Sequence, residues 1–203
     1  MAIVKSLRTD VIPRKAALAT AGIMAVTAVV LLGMGRVPWC ACGHIALWSG
    51  DIWSSENSQQ IADPYTFTHI THGLIFYWTL TYLVTKVRGA TLSTGFLLVV
   101  AVFIESSWEI LENSPMIIDR YREVTISLDY YGDSVINSIA DIAACIAGFL
   151  LASRLSLAAT LMMIFLLEAV LTFLQPWDRR NRSNPVRNSV SSSTNRIPRS
   201  FIF

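Results

Sequence analysis

Residues 92–111 read LSTGFLLVVAVFIESSWEIL. From Phe96 to Ile104 there is no polar side chain. A helix needs about 20 mostly apolar residues to cross the hydrocarbon core of a bilayer, and this stretch has that length. Its last third, however, carries Glu105 and Glu109, with Glu112 just beyond. These carboxylates are spaced four and three residues apart, which places them on one helix face together with Trp108. An ionisable group at membrane depth costs several kcal/mol and normally faces a bundle interior or a wet cavity. The stretch therefore reads as a membrane helix that is apolar at one end and needs polar partners at the other.

The rest of the chain agrees. It has 203 residues, of which 53% are hydrophobic and 15% charged, against roughly 25% charged in an ordinary soluble domain. So small a core cannot hide that much apolar surface, and lipid is the expected solvent for the remainder. A net charge of +2 does not suit a nucleic-acid binder, and no nucleic-acid motif is present. Three cysteines (Cys40, Cys42, Cys145) provide no disulfide framework. The absence of an internal repeat makes an alternating-access transporter a poor fit.

Four further apolar segments flank the first: Ala16–Met34, His69–Val87, Ser134–Ala152 and Leu155–Leu174. The expected fold class is all-α, a polytopic transmembrane bundle of about five helices. Residues 1–15 form a cytoplasmic N-terminus, 16–174 the helical domain and 175–203 an Arg/Ser-rich tail that reads as disordered. Ala16–Met34 follows a basic stretch, but it is long for a signal peptide and lacks an A-x-A site, so it reads as an uncleaved anchor. Lys and Arg near helix ends stay cytoplasmic. Lys5, Arg8, Arg14 and Lys15, then Lys86 and Arg88, then Arg154 fall on one side if every segment crosses. The loops 35–68 and 112–133 then lie outside. The tail, with six arginines, breaks the pattern.

With that topology three polar helix ends meet at the outer face. His69 and His72 open the second segment, Glu105, Glu109 and Glu112 close the third, and Asp133, Asn137 and Asp141 open the fourth. Each set recurs at three- or four-residue spacing and shares a face. Asp141 and Glu105 lie about two turns deep and need partners, for which the histidines and Arg120 with Arg122 are the candidates. One reading is a structural network with Asp133 or Ser134 as an N-cap. The other is a functional site. In it His69, His72, Glu105, Glu109, Asp133 and Asp141 are the candidate catalytic groups, and Glu112, Asn113, Arg120, Arg122 and Asn137 the candidate ligand-binding ones. Two histidines with several carboxylates suit zinc or manganese, although no H-E-x-x-H motif is present. A His–carboxylate pair also suits general acid–base work. No cofactor is named by the sequence.

Cys40-Ala41-Cys42-Gly43-His44 follows the first segment. It reads as two small residues in a turn, a soft-metal site with poor spacing, or a bridged pair in an oxidising outer compartment. Cys145 reads as packing. Trp39, Trp48, Trp53, Tyr65, Tyr130 and Tyr131 read as an interfacial aromatic belt. Gly132 reads as a turn residue, and Pro115 as a mark that the third helix has ended.

The run ENSPMIIDRYREVTISLDYYGDSVINS from Glu112 to Ser138, with CACG at Cys40, SENSQ at Ser55 and HITHG at His69, resembles a family of bacterial inner-membrane proteins from rhizobia and their relatives. That family is defined only as a domain of unknown function. The resemblance spans about Arg36 to Leu155. It implies a multi-pass inner-membrane protein and no particular activity. The family pattern continues with Asp-Asn-Leu-Thr-Leu-Asn and a further helix, whereas this chain runs into Gln175-Pro176-Trp177 and its arginine tail. A looser similarity is to VanZ-like membrane proteins, in the order His72, Glu105, Arg120 or Arg122, Asp133, Asn137, Gly148. It implies cell-envelope work. The expected partners are the bilayer and an envelope lipid or cell-wall precursor. The alternative is a non-catalytic scaffold subunit docked to a membrane protein.

Overall fold

The computed structural model describes residues 12–51, 54–89, 92–124 and 130–174. Among them there are six helices and no strand: α1 (Arg14–Gly33), α2 (Thr66–Arg88), α3 (Thr94–Glu112), α4 (Pro115–Val124), α5 (Val135–Ala152) and α6 (Leu157–Leu174). Five of them coincide with the five apolar segments. Helices α1, α3 and α5 are long and apolar enough to cross a membrane. Helix α2 has 23 residues, but six threonines and two histidines dilute its apolar character. Helix α6 is apolar, and its stretch Leu157–Phe173 falls just short of the other three. The tail and Trp53 lie outside the described residues.

The distribution of side chains is inverted relative to a water-soluble domain. Phe173, Phe165, Val29 and Phe103 are exposed, whereas Glu105, Glu109, Asn113 and Asn137 are each at most 1% exposed. An apolar exterior around a partly polar interior is what a lipid solvent selects. The result is an all-α helical bundle with membrane-length members.

Helix α1 packs on α3, α2 on α5, α5 on α3, and α6 on α2. Leu97, Leu98, Ala101 and Val102 of α3 meet Ile142 and Phe149 of α5 in the apolar core. Between α2 and α5 the backbones nearly touch. A Cβ on Gly73 would run into the Cys145 carbonyl, and one on Gly148 into the Ile70 carbonyl. Without a hydrophobic drive between helices in lipid, such small-residue contacts let dispersion forces hold the pair. Trp78 Nε1 donates to Thr160 Oγ1 at 3.0 Å and ties α6 to α2.

Helix directions follow from contacts at the ends. The start of α3 at Gly95 lies beside Pro13 and Ala16 at the start of α1. The start of α2 meets α5 through Thr66 Oγ1, which donates to Asp141 Oδ1 at 2.9 Å. So α1 and α3 begin at one end of the bundle, and α2 and α5 begin at the other.

Two details differ from the sequence reading. Residues 112–133 are not all loop, because Pro115 opens α4 rather than merely following α3. Proline suits a first helical turn, where its missing N–H has no partner to lose. Helix α4 buries Ile118 while Asp119 and Arg120 stay exposed. Trp108 sits at the edge of the carboxylate face, hydrogen-bonded to Glu112 but 43% exposed while Glu105 and Glu109 are buried. A three-residue step falls short of a full turn and a four-residue step overshoots it, so Trp108 swings outward.

The segment before α2 is seated on the start of α5. Ser134 N donates to Ser58 O at 2.9 Å, Val135 N to Val37 O at 2.9 Å and Ile136 N to Pro38 O at 3.1 Å. Ser134 Oγ accepts from Asn137 N, the N-cap anticipated from the sequence. The free N–H groups of α5 are thus filled by the chain itself. Gly132, at φ 94°, makes the turn into this junction.

Candidate functional site

The polar ends of α2, α3 and α5 come together. Glu105 of α3 lies between two imidazoles of α2. His69 Nδ1 is 2.6 Å from Glu105 Oε1, and His72 Nδ1 is 3.1 and 3.2 Å from its two oxygens. The spacing explains this, since three residues carry His69 to His72 along one face. Asp141 of α5 approaches from the other side, with Oδ2 3.8 Å from His69 Nε2. His69 is buried, but the His72 side chain is 29% exposed, so it links the cluster to the outside.

Glu109 stands apart in its bonding. It is 1% exposed, and neither carboxylate oxygen has a hydrogen-bond partner. Its nearest basic atom is His69 Nδ1, 3.4 Å from Oε1. Among the described residues, every ion pair to Glu105, Glu109 or Asp141 is to a histidine, and no Lys or Arg takes part. A buried anion without a full set of partners is costly. Within this cluster, two groups of donor atoms are close enough to hold an ion: His69, His72 and Glu105, and His69, Glu109 and Glu112.

A second layer pins this cluster. Asn113 Nδ2 donates to Glu109 O at 3.0 Å, to Asp133 Oδ2 at 2.9 Å and to Ser138 Oγ at 3.3 Å. Tyr130 OH donates to Asp133 Oδ1 at 2.9 Å. Burial raises the Asp133 carboxyl above its ordinary range, against the hydrogen bonds from Tyr130 and Asn113 that lower it. Asn137 Nδ2 donates to Gln60 O at 2.9 Å, so it secures the preceding segment. Asp63 caps the same region, accepting from Ser58 N at 2.9 Å and Tyr65 N at 2.7 Å, and burial raises its carboxyl too.

Of the residues singled out in the sequence, His69, His72, Glu105, Glu109 and Asp141 form the cluster, with Glu112 beside it. Asp133, Asn113 and Asn137 belong to the pinning layer. Arg120 and Arg122 do not join it. Arg120 is exposed on α4, and Arg122 lies 3.8 Å from Asp119 and 5.2 Å from the Tyr131 ring centroid. Among the described residues, the basic partners of Glu105, Glu109 and Asp141 are therefore the histidines alone. Tyr65 and Tyr130 are tied into the protein by their hydroxyls: Tyr65 OH meets Tyr121 OH at 3.0 Å, and Tyr130 OH donates to Asp133 Oδ1. Trp39, Trp48 and Tyr131 are exposed. Sequence reasoning missed Thr66, although it stands three residues before His69 on the same face, and it missed Asp63, Gln59 and Gln60, which carry no helical period. Arg36, which donates to Tyr131 O, was also missed. Cys40 and Cys42 are disulfide-bonded, so they offer no thiolate to a metal.

Fold and cluster together define a helical protein with membrane-length helices and a buried histidine–carboxylate centre at one end. The chain belongs to the family described as protein of unknown function (DUF2585), whose profile matches residues 31–179. It is 49% identical over 156 residues to a UPF0314 protein of Paracoccus denitrificans, covering 77% of this chain and 78% of that one. A UPF0314 protein of Novosphingobium aromaticivorans is 50% identical over 150 residues, covering 74% and 76%. One from Sinorhizobium fredii is 51% identical over 151 residues, covering 74% of each. No solved structure matches.

Proposed function

We propose that this chain is a multi-pass protein of the bacterial inner membrane with a cytoplasmic N-terminus, and that its histidine–carboxylate centre is an outward-facing pocket for a polar cell-envelope ligand. A lipid headgroup or a cell-wall precursor has the right chemistry. The observation that carries this reading is Glu109, a fully buried carboxylate with no hydrogen-bond partner on either oxygen. Buried polar groups are nearly always hydrogen-bonded, so this carboxyl calls for a partner from outside the chain. Orientation is supported by the basic residues at the end where α1 and α3 begin. A disulfide at Cys40–Cys42, at the opposite end, suits an oxidising compartment.

In this pocket the half-exposed His72, backed by Glu105, supplies an acid–base group to a ligand. Arg120, exposed on α4, offers a cation to an anionic headgroup. The test is native purification in mild detergent with mass spectrometry of whatever accompanies the protein. A bound lipid or precursor that disappears in His72→Ala, at unchanged protein level, is the expected result. Loss of the protein itself would favour a structural role.

A scaffold role is the second reading, favoured by Leu47, Ile45 and Trp48, which stand 79%, 53% and 44% exposed before α2. It predicts a protein partner that stays bound in His72→Ala.

A further inference from the structure

We propose that His69, His72, Glu105, Glu109 and Glu112 bind a divalent first-row transition-metal ion. The proposal names the species held at the centre described above and rests on the reading of that centre as a binding site.

Three observations carry it. The first is donor type: two imidazoles and three carboxylates, the set preferred by zinc, manganese or iron rather than by magnesium or calcium, which take oxygen ligands. The second is spacing. Metal–ligand bonds of about 2.0–2.2 Å place neighbouring ligand atoms roughly 2.9–3.5 Å apart around one ion. Here His72 Nδ1 is 3.1 Å from Glu105 Oε1, and His69 Nδ1 is 3.4 Å from Glu109 Oε1. His69 Nδ1 and Glu105 Oε1, at 2.6 Å, are closer than that and share a proton instead. The two groups are separate in the free protein but have His69 in common, so an ion that replaces this proton draws them together. The third is the charge left over. Glu109 is buried, its oxygens have no hydrogen-bond partner, and it faces the same His69 nitrogen. A divalent cation supplies the missing positive charge and the missing contacts together.

The surroundings fit a metal centre. Thr66 Oγ1 holds Asp141 at 2.9 Å, and Asp141 lies on the Nε2 side of His69. A carboxylate behind a metal-binding imidazole orients the ring and fixes its tautomer. Asn113 holds the backbone carbonyl of Glu109. The site is thus built from three helices with a supporting layer, rather than from a run of surface acids.

The experiment uses the full-length chain in mild detergent, stripped with EDTA and equilibrated with zinc chloride alone. Bound zinc is counted by elemental analysis, and affinity is read by competition with a chelating dye. One zinc per chain is expected, undisturbed by excess magnesium. Glu109→Gln should weaken binding at least about tenfold. Because Glu109 is buried, His72→Gln at the half-exposed edge serves as a second variant, with the same expectation. Zinc should also raise the melting temperature of the wild-type protein, a readout that needs no variant. Failure to take up stoichiometric zinc, or uptake unchanged in both variants, overturns the proposal. A lipid or precursor that stays on the metal-stripped protein but leaves in His72→Ala, with no zinc bound, would keep the envelope-ligand reading and remove the metal. Stoichiometric zinc without any organic ligand would do the reverse.

Discussion

Asn113 and Asp133 hold each other reciprocally: the Asn113 amide donates to Asp133 Oδ2 at 2.9 Å, and the Asp133 backbone N–H donates to Asn113 Oδ1 at 2.7 Å. This pair fastens the end of α3 to the start of α5 across a 20-residue connection. Asn113→Ala leaves Asp133 Oδ2 and the Asp133 backbone N–H without partners, while Tyr130 still holds Oδ1, at about 1–3 kcal/mol for each lost partner. A loss of roughly 2–4 kcal/mol is expected, read as a lower melting temperature in detergent. An unchanged melt would show that water replaces the asparagine.

The contact of Gly73 with Cys145 and of Gly148 with Ile70 makes a second prediction. Gly148→Ala must push α2 and α5 apart, because the atom in the way is backbone and not a flexible side chain. The cost should be about 1–3 kcal/mol, the usual range for overpacking. Gly22→Ala on α1, where nothing lies within 4 Å, should be neutral and is the control. Equal melting temperatures for the two variants would contradict the close approach.

Removing opposite halves of the buried centre should have opposite effects. Glu109→Gln keeps the shape and replaces a buried carboxyl whose oxygens have no hydrogen-bond partner, so stability without ligand should hold or rise. His69→Ala takes away the one imidazole that contacts Glu105, Glu109 and Asp141. It should cost about 3–5 kcal/mol, as breaking a buried pair does. Similar losses in both would mean that Glu109 has a partner in solution.

The raised carboxyls of Asp63 and Asp133 set the sign of a pH effect. For both, the folded state holds a proton more tightly than the unfolded state, whose ordinary value is 3.8. Their ionisation therefore disfavours folding at neutral pH, and the penalty is relieved as pH falls toward 3.8. Thermal unfolding at pH 8 and at pH 5 should show no acid destabilisation from these groups. Asp63→Asn should flatten the dependence; a steeper one would reverse the sign.

Orientation is open to direct measurement. A reporter active only outside the cytoplasm, fused after Asp51, should work, and one fused after Gly89 should not. Cys40 and Cys42 should resist a thiol reagent until reduced, while the buried Cys145 reacts on unfolding. Free thiols at Cys40 and Cys42 in freshly isolated membranes would place that segment on the reducing side.

The sequence alone determined five helices, an all-α class and the convergence of three polar helix ends, because these follow from local spacing. Apolar runs of membrane length and acids three and four residues apart have meaning without any neighbour. Helix α4 was not recognised although its ten residues are amphipathic, because a run so short and so polar on average reads as part of a loop. Only the tertiary structure decided which acids share an imidazole. Glu105 and Glu109 are one turn apart and look alike in the sequence, yet one lies between two histidines and the other has no hydrogen-bond partner. The axial offset of α2 against α3 makes that difference, and helix packing sets it. The exclusion of Arg120 and Arg122 likewise depended on where α4 turns, which no spacing rule reports. Periodicity fixes which face a residue occupies, while charge pairing depends on distances between elements that meet only when the bundle is packed.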